Sequence, residues 1–160
     1  MTRIKYKRHG RYVLFLKKIS LYFCVLLVLN ACAAVISPYD AQAYKNATEF
    51  KAQANAILAK AIDPYSKHES AVEKLLLNVN SAYEYSAGIP KNKIATEQWQ
   101  LLRDPSGKLL GGFIEKWKLS GNNGFGEVFV QETSSGIAKA FDYIICLEVN
   151  KKESTACSTL

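Results

Sequence analysis

The sequence is poor in the side chains that bind metals and hemes. It contains two histidines, His9 and His68, and a single methionine, Met1. A structural zinc site needs four ligands at ordered spacing, and a catalytic one needs three. Heme iron is commonly held by histidine and methionine side chains. The sequence therefore predicts no metal site and no cofactor.

Motifs that frame a catalytic nucleophile or a bound nucleotide are also absent. There is no Gly-x-Ser-x-Gly elbow and no glycine-rich phosphate loop, since Gly121, Gly124 and Gly126 follow a predicted helix rather than a strand. His68 falls where a helix is predicted to begin, and we expect it to be a solvated surface residue. A hydrolase would need an ordered pocket that holds His68 beside a serine and a carboxylate. The sequence therefore predicts no catalytic residue and no enzymatic activity.

The positive charge of the chain is confined to its N-terminal segment. The first 31 residues hold seven cations and no acidic residue, against a formal net charge of +7 for the whole chain. These cations are Arg3, Lys5, Lys7, Arg8, Arg11, Lys17 and Lys18. The chain has 21 basic and 14 acidic residues, so without these seven the remainder has 14 of each and no formal net charge. A surface that neutralises phosphates needs clustered lysine and arginine, so nucleic acid is not a predicted partner.

An uncharged, mostly apolar segment, 19–36, follows the basic stretch. A helix of about 20 such residues spans the hydrocarbon core of a bilayer. Its basic flank stays on the cytoplasmic side, because carrying lysine and arginine across a membrane is costly. The rest of the chain is therefore predicted to be exported and to be held at a membrane by its N-terminal segment.

Within this segment, Leu29-Asn30-Ala31-Cys32 resembles the lipobox of bacterial lipoproteins, although Asn30 replaces the usual small or β-branched residue. The resemblance covers the leader alone. It implies that residues 1–31 are a signal peptide, that cleavage leaves Cys32 first, and that Cys32 carries acyl chains such as palmitate. Because Ala33 rather than aspartate follows, it also implies sorting to the outer membrane, facing the periplasm. An inner-membrane anchor is the second location.

Two other interpretations of the leader stay open. The segment is an uncleaved single-pass anchor if Cys24 and Cys32 are only apolar filling of a membrane helix. The product is a soluble periplasmic protein if cleavage follows Ala41-Gln42-Ala43, which has the small-x-small form of a general cleavage site. All three interpretations predict the same direction of export. In the lipoprotein interpretation, residues 32–40 are a tether.

Downstream of Asp40, apolar residues recur at helical spacing and predict an all-α fold. The first helix is predicted to end before Pro64, because the residue that precedes a proline is disfavoured in a helix. Ser66-Lys67-His68-Glu69 has the form of a capping box, which would begin the second helix. Gly88 and Pro90 supply the stop signal of this second helix.

The second half of the body contains the remaining predicted helices. A third helical region begins near Asn92 and is interrupted at Asp104-Pro105-Ser106-Gly107, whose first residue can cap a restart. Gly111-Gly112 in the restarted stretch lowers helix propensity and indicates a kink or a close helix contact. A last helix is predicted from Phe129 to the region of Lys151.

Short connections between these segments favour an antiparallel bundle of about four helices, residues 41–152, followed by a C-terminal tail, 153–160. The stretches 112–117 and 140–142 resemble, in general layout, uncharacterised small helical lipoproteins of Gram-negative bacteria. That resemblance implies a helical body and supplies no catalytic residue.

Two cysteines of the body, Cys146 and Cys157, would lie in an oxidising compartment after export. A disulfide between them would close a short loop and stabilise the C-terminal end by about 2–3 kcal/mol in the chain-entropy account. The alternative is a buried Cys146 that acts as a small hydrophobic residue, with Cys157 unpaired. The sequence leaves both alternatives open.

These observations predict a non-enzymatic, membrane-tethered envelope lipoprotein that binds a protein or another envelope component. An alternative is a bundle that carries a small apolar ligand in a pocket lined by Trp99, Phe113 and Trp117. Five tyrosines are a candidate partner surface, because tyrosine buries a large area while keeping a polar tip. They are Tyr39, Tyr44, Tyr65, Tyr83 and Tyr85. Helical spacing alternatively places Tyr44 and Tyr83 in the core.

Overall fold

The computed structural model describes residues 37–151 and Cys157, and every regular element among them is helical. The predicted leader, the lipidation candidate Cys32 and most of the C-terminal tail lie outside the described residues. The helices are α1 (Ala41–Leu58), α2 (Glu69–Gly88), α3 (Lys93–Arg103), α4 (Leu110–Leu119) and α5 (Glu127–Val149), with a 3₁₀ turn (Tyr65–Lys67) before α2. The predicted all-α bundle is confirmed, with five described helices where about four were expected.

The helices pack in antiparallel fashion, with α1 against α5 and α2, and with α3 against α2, α4 and α5. The proximal end of the bundle is the end where the described chain begins at Ser37, close to the ends of α2 and α5. The distal end holds the turn after α1 and the start of α5, which a hydrogen bond from Phe125 N to Ala61 O joins at 2.7 Å. Trp117 Nε1 donates to Asp63 O at 2.9 Å and fixes the end of α4 at this distal end.

Large apolar side chains from all five helices form one core. The largest of those that are fully buried are Leu58, Leu75, Trp99, Leu102, Leu110, Trp117, Ile137, Phe141 and Ile144. Trp99 meets Phe141 edge to face with ring centroids 5.9 Å apart, an arrangement that the charge distribution of aromatic rings favours. On α1 the buried residues are mostly alanines, so α1 lies close to its neighbours.

Local hydrogen bonds decide where the first two helices begin. Asp40 caps α1, because its carboxylate accepts a hydrogen bond from Ala43 N at 2.8 Å. The predicted capping box of α2 is wrong, since Ser66 lies inside the 3₁₀ turn. His68 occupies the N-cap position instead, and its side chain makes no hydrogen bond to the backbone of the first turn of α2. His68 N donates to Tyr65 O at 2.8 Å and closes that turn, so Ser66 lacks the extended backbone that a capping serine needs. As predicted, α2 ends at Gly88 and α1 ends before Pro64.

The third predicted region is divided into α3 and α4 by a loop that begins at Asp104. The prediction that Asp104 caps the restart is wrong. Its carboxylate accepts hydrogen bonds from Ser106 N at 2.9 Å and from Ser106 Oγ at 2.7 Å, and so stabilises a local turn instead. The helix restarts later, at Leu110, and Leu109 at its N-cap position makes no side-chain bond.

The glycine pair Gly111-Gly112 lets α4 begin directly against the preceding backbone. A Cβ atom on Gly111 would overlap the carbonyl group of Arg103, and one on Gly112 would overlap the carbonyl group of Gly107. Of the two alternatives predicted for this pair, the structure therefore has the close contact. Only glycine has the small size that this approach of two backbone segments requires.

A buried polar network fixes the proximal end. Ser37 is only 2% exposed, and its Oγ donates to Asn92 Oδ1 at 3.1 Å. Lys151 Nζ donates to the same oxygen at 2.6 Å, while Asn92 Nδ2 donates to Ser86 Oγ at 2.9 Å. The structure thus places residues 37–40, which the sequence analysis assigns to the tether, within the folded body.

Glu148 brings a carboxylate into the same network. Its side chain is fully buried, and Oε2 lies 2.8 Å from Lys151 Nζ. The pair is within ion-pair distance but outside hydrogen-bond geometry, and neither carboxylate oxygen accepts a hydrogen bond from the described residues. Lys151 is therefore the described partner that offsets the burial of this charge.

Cys146 and Cys157 are joined by a disulfide in the structure. Cys157 packs with Ala95 and Leu147 in a small cluster beside the main core. The bond therefore attaches the C-terminal segment to the end of α5 at the proximal end.

Replacing Cys157 with serine is expected to lower the free energy of unfolding by about 2–3 kcal/mol, because the unfolded chain then gains the entropy of an open loop. Urea unfolding of oxidised wild type and of the variant measures this difference. A reducing agent should move the wild-type midpoint to that of Cys157→Ser and leave the variant unchanged. Equal midpoints for the two oxidised proteins would contradict a stabilising disulfide.

Candidate functional site

An open groove runs between α1 and α5 in the distal half of the bundle. It has a volume of about 500 Å³ and mostly apolar walls. Its lining residues are Asn55, Ala59 and Ile62 on one side, and Glu127, Val130, Gln131, Ser134, Ser135 and Ala138 on the other. We call this feature the distal groove.

The distal groove is left unfilled along part of α5 because the residues that face it there are small. These residues are Ser134, Ser135 and Ala138. Along α5 the groove extends from Glu127 to Ala138, which is about 16 Å at 1.5 Å per residue, or about three helical turns. Its length is therefore that of a short helical segment.

Exposed apolar side chains also occur at the distal end, and one of them, Ile62, lines the groove. They are Ile62, Leu119, Val128 and Phe129, and Val128 is 70% exposed. We call them the distal patch. The ring of Phe129 packs against two other aromatic rings, since its centroid lies 5.0 Å from that of Phe125 and 6.1 Å from that of Phe113. A rigid aromatic side chain that stays partly exposed is typical of a binding surface.

Ser134 adds an unsatisfied polar group to the groove. Its Oγ is buried and has no hydrogen-bond partner among the described residues. Buried hydroxyl groups in folded proteins nearly always have a partner. Because this oxygen is buried, the hydroxyl would have to rotate toward the groove before a bound molecule could form a hydrogen bond with it.

His68, at the same end, is not the solvated surface residue that the sequence predicts. Its Nε2 lies 3.1 Å from Asp63 Oδ2, and its ring packs on Trp117 with centroids 5.9 Å apart. The hydrogen bond with His68 lowers the pKa of the Asp63 carboxyl most, and the charge of Lys67 acts in the same direction, against partial desolvation. No hydrogen bond joins His68 to a serine in the part of the chain that the structure describes. The triad that a hydrolase would need is therefore not formed there.

The lowered pKa of Asp63 makes a pH dependence of stability testable. A carboxyl group whose pKa is lowered by folding stabilises the native state above its ordinary value of 3.8, and loses that contribution as the pH falls through the folded-state value. We expect the stability advantage of wild type over Asp63→Asn to shrink when the pH is lowered from about 5 to about 2. Urea unfolding at a series of pH values measures it. An advantage that stays constant over this interval would contradict the assignment.

The three aromatic residues predicted to line an apolar pocket are buried, each with its own aromatic contacts. Trp99 packs against Phe141, and Trp117 packs edge to face against Tyr65 with ring centroids 5.6 Å apart. Phe113 belongs to the aromatic cluster beneath the distal patch. None of the three lines the distal groove or the smaller groove between α1 and α2.

The distal groove could not be predicted from the sequence because its two walls lie far apart in the chain. The available signal is Ser134-Ser135-Gly136, which places three small residues in succession on α5. Small residues on a helix indicate either a close helix contact or unfilled space. Only the pairing of α1 with α5 distinguishes these two outcomes.

No group of three or more His, Cys, Asp or Glu side chains that could hold a metal ion occurs among the described residues. Within residues 37–151, no helix combines the length and the apolar character needed to cross a membrane. Comparison with protein-family models, curated proteins and solved structures finds no match to this chain. Its function is therefore inferred from its own residues.

Proposed function

We propose that this chain is a membrane-tethered, non-enzymatic envelope lipoprotein whose distal groove binds an amphipathic helix of another envelope protein. The observation that carries the proposal is the open groove between α1 and α5, with Ile62 exposed on its wall and Val128 exposed next to Glu127. The leader supports the location through its basic flank, its apolar segment 19–36 and its lipobox-like sequence ending at Cys32.

The shape of the distal groove favours a helix as its occupant. Its length accommodates about three turns, and its floor of alanine and serine side chains allows a second backbone to approach closely. A helix in such a groove inserts the apolar residues of one stripe, spaced three and four apart. Val128, which follows the groove residue Glu127 and is exposed, would extend the contact beyond the groove.

An apolar small molecule is the competing occupant. Ligand pockets have volumes of about 300–1,000 Å³, and the distal groove falls in that range. Such pockets enclose most of the surface of the ligand, whereas the distal groove is open to solvent along its length. This open form supports the helix as the occupant.

The two alternative interpretations of the leader have different consequences for the proposal. An uncleaved anchor helix would hold the same body on the same side of the membrane and leave the groove proposal unchanged. Cleavage after Ala41-Gln42-Ala43 would remove Ser37, the Asp40 cap and the first turn of α1. The loss of these native contacts supports the lipoprotein interpretation over the soluble one.

Photocrosslinking in living cells tests the proposed partner. A photoreactive residue at Val128, in the distal patch, is compared with one at Leu77 on α2, which is 65% exposed and lines neither groove. We expect the Val128 probe to give a crosslink to an envelope protein, mapped by mass spectrometry to an amphipathic helix. The Leu77 probe should not give this product.

Blocking the groove provides the matched control. Ser135→Arg places a long charged side chain on an exposed position of the groove wall and should abolish the Val128 crosslink, whereas Leu77→Arg should leave it unchanged. A Val128 crosslink that survives Ser135→Arg would contradict binding in the groove. A crosslinked product that contains only lipid or a small molecule would show that the groove binds an apolar small molecule rather than a helix.

A further inference from the structure

Little chain separates the folded body from the segment predicted to lie in the membrane. Ser37 is already buried, and its backbone N donates to Lys91 O at 3.3 Å. The apolar segment ends one residue earlier, and Cys32 stands five positions before Ser37. Five residues of fully extended chain span at most about 18 Å. With the tether of the proposed function, the proximal end is thus kept within that distance of the lipid.

The proximal end exposes three of the five tyrosines that form the candidate partner surface of the sequence analysis. Tyr39 is 56% exposed, and Tyr44 and Tyr85 are exposed as well. The other two are not part of this group, because Tyr65 is buried in the core and the Tyr83 ring lies beneath the guanidinium of Arg103.

Hydrogen bonding and ring contacts hold these tyrosines in place. The rings of Tyr39 and Tyr44 lie 6.4 Å apart, and the hydroxyl of Tyr85 donates to the Asp40 carboxylate at 3.1 Å. Asp40 also accepts the capping bond from Ala43 N at 2.8 Å. The Asp40 carboxylate beside Tyr85 therefore has two hydrogen bonds supplied by the protein, which lowers the cost of moving it to a less polar surrounding.

Apolar and basic side chains share the proximal end with the tyrosines. Ile94 at the start of α3 and Val149 at the end of α5 are exposed. The Lys93 side chain is 85% exposed, and its Nζ lies 3.7 Å from Glu97 Oε1. The Glu148 carboxylate is not exposed at this end, because it is buried beside Lys151. Tyrosine, with its apolar ring and polar hydroxyl, is enriched at the level of lipid headgroups. Lysine near a membrane surface is attracted to anionic lipids.

We infer that the proximal end, with Tyr39, Tyr44 and Tyr85, is a lipid-contacting surface that seats the body on the headgroup layer. The inference rests on the tether of the proposed function. Continuity with that tether is what selects lipid over a protein partner, since the short linking chain brings this end, and not the distal one, to the bilayer. Seated in this way, the body directs its distal groove away from the membrane.

Tryptophan fluorescence of the full chain in vesicles tests this surface. The native Trp99 and Trp117 are buried and provide a constant background. The protein is purified from bacterial membranes and inserted into vesicles of phosphatidylcholine and phosphatidylglycerol, with and without bromine on the acyl chains. Tyr39→Trp is compared with Leu119→Trp at the distal end, and Tyr44→Trp serves as the second proximal probe.

We expect brominated lipid to remove most of the emission added by Tyr39→Trp and Tyr44→Trp and to leave that of Leu119→Trp unchanged. If the protein floats with the vesicles but its two proximal probes keep their emission, this inference is wrong and the tether is still supported. Quenching of all three probes alike also overturns it, because the body would then lie along the membrane. Protein that fails to float with the vesicles overturns the tether and this inference together.

Discussion

Gly112→Ala is expected to lower the free energy of unfolding by more than about 3 kcal/mol. The added Cβ would overlap the carbonyl group of Gly107, and the contact is with backbone, which cannot rotate away as a side chain does. The flanking helix residues Leu110 and Phe113 are buried, so α4 cannot shift without opening the core. Overpacking of a core costs about 1–3 kcal/mol, and a clash with backbone exceeds that range. Total stabilities of domains are only about 5–15 kcal/mol.

Gly136→Ala is the matched control for this prediction. Both glycines lie inside helices, but a Cβ on Gly136 would meet nothing within 4 Å. Alanine restricts the unfolded chain and favours helix, so this variant should be more stable than wild type by about 0.5–1 kcal/mol. Urea unfolding followed by circular dichroism measures both. A Gly112→Ala protein with a wild-type midpoint would contradict the close contact between α4 and the preceding loop.

Lys151→Met is expected to destabilise the protein by about 3–5 kcal/mol, because it leaves the Glu148 carboxylate buried without its counter-charge. The expected loss is large since neither Glu148 oxygen accepts a hydrogen bond from the described residues. The same change also removes the 2.6 Å hydrogen bond from Lys151 Nζ to Asn92. Equilibrium unfolding in urea at neutral pH measures the difference.

Two further variants distinguish the cost of leaving a buried carboxylate unpaired from any cost of losing a lysine as such. Lys93→Met removes a cation from the exposed pair with Glu97 and should change stability by less than about 1 kcal/mol. Replacing both members of the buried pair, as Glu148→Leu with Lys151→Met, should recover most of the lost stability. If the double variant is as unstable as Lys151→Met alone, the penalty does not come from an unpaired carboxylate.

Patterns along one helix predicted the fold well, because they depend on neighbours in the chain. The apolar spacing after Asp40 identified α1, and Gly88 marked the end of α2. Capping was predicted less well. Ser66 and Asp104 both have the right residue type and spacing for a cap. Each lies instead in a local turn that has hydrogen bonds of its own, so neither side chain reaches the start of the next helix.

Burial could not be predicted from the sequence where it depends on contacts between distant segments. Glu148 and Lys151 are spaced like an ordinary surface ion pair, yet both are buried, and Lys151 bonds to the distant Asn92. His68 is only partly exposed because it packs on Trp117, which lies 49 positions further along the chain. The distal groove is a similar case, since its walls come from α1 and α5.

In the proposed arrangement, the two ends of the bundle have different tasks. The proximal end contacts lipid through its tyrosines, and the buried network of Ser37, Asn92 and Lys151 joins the tether rigidly to the helices. The distal groove, at the opposite end of α1 and α5, is then presented to partners in the envelope. A short, firmly attached tether would restrict the partner to proteins close to the same membrane.

Metabolic labelling with a radioactive fatty acid tests the central claim, that this chain is a lipid-anchored envelope protein. Wild type, Cys32→Ser and Cys24→Ser are expressed in a Gram-negative host, and the label on the isolated protein is measured. Wild type and Cys24→Ser are expected to carry the label and Cys32→Ser to carry none. An unlabelled wild type, or a Cys32→Ser protein that keeps its label, would contradict the account.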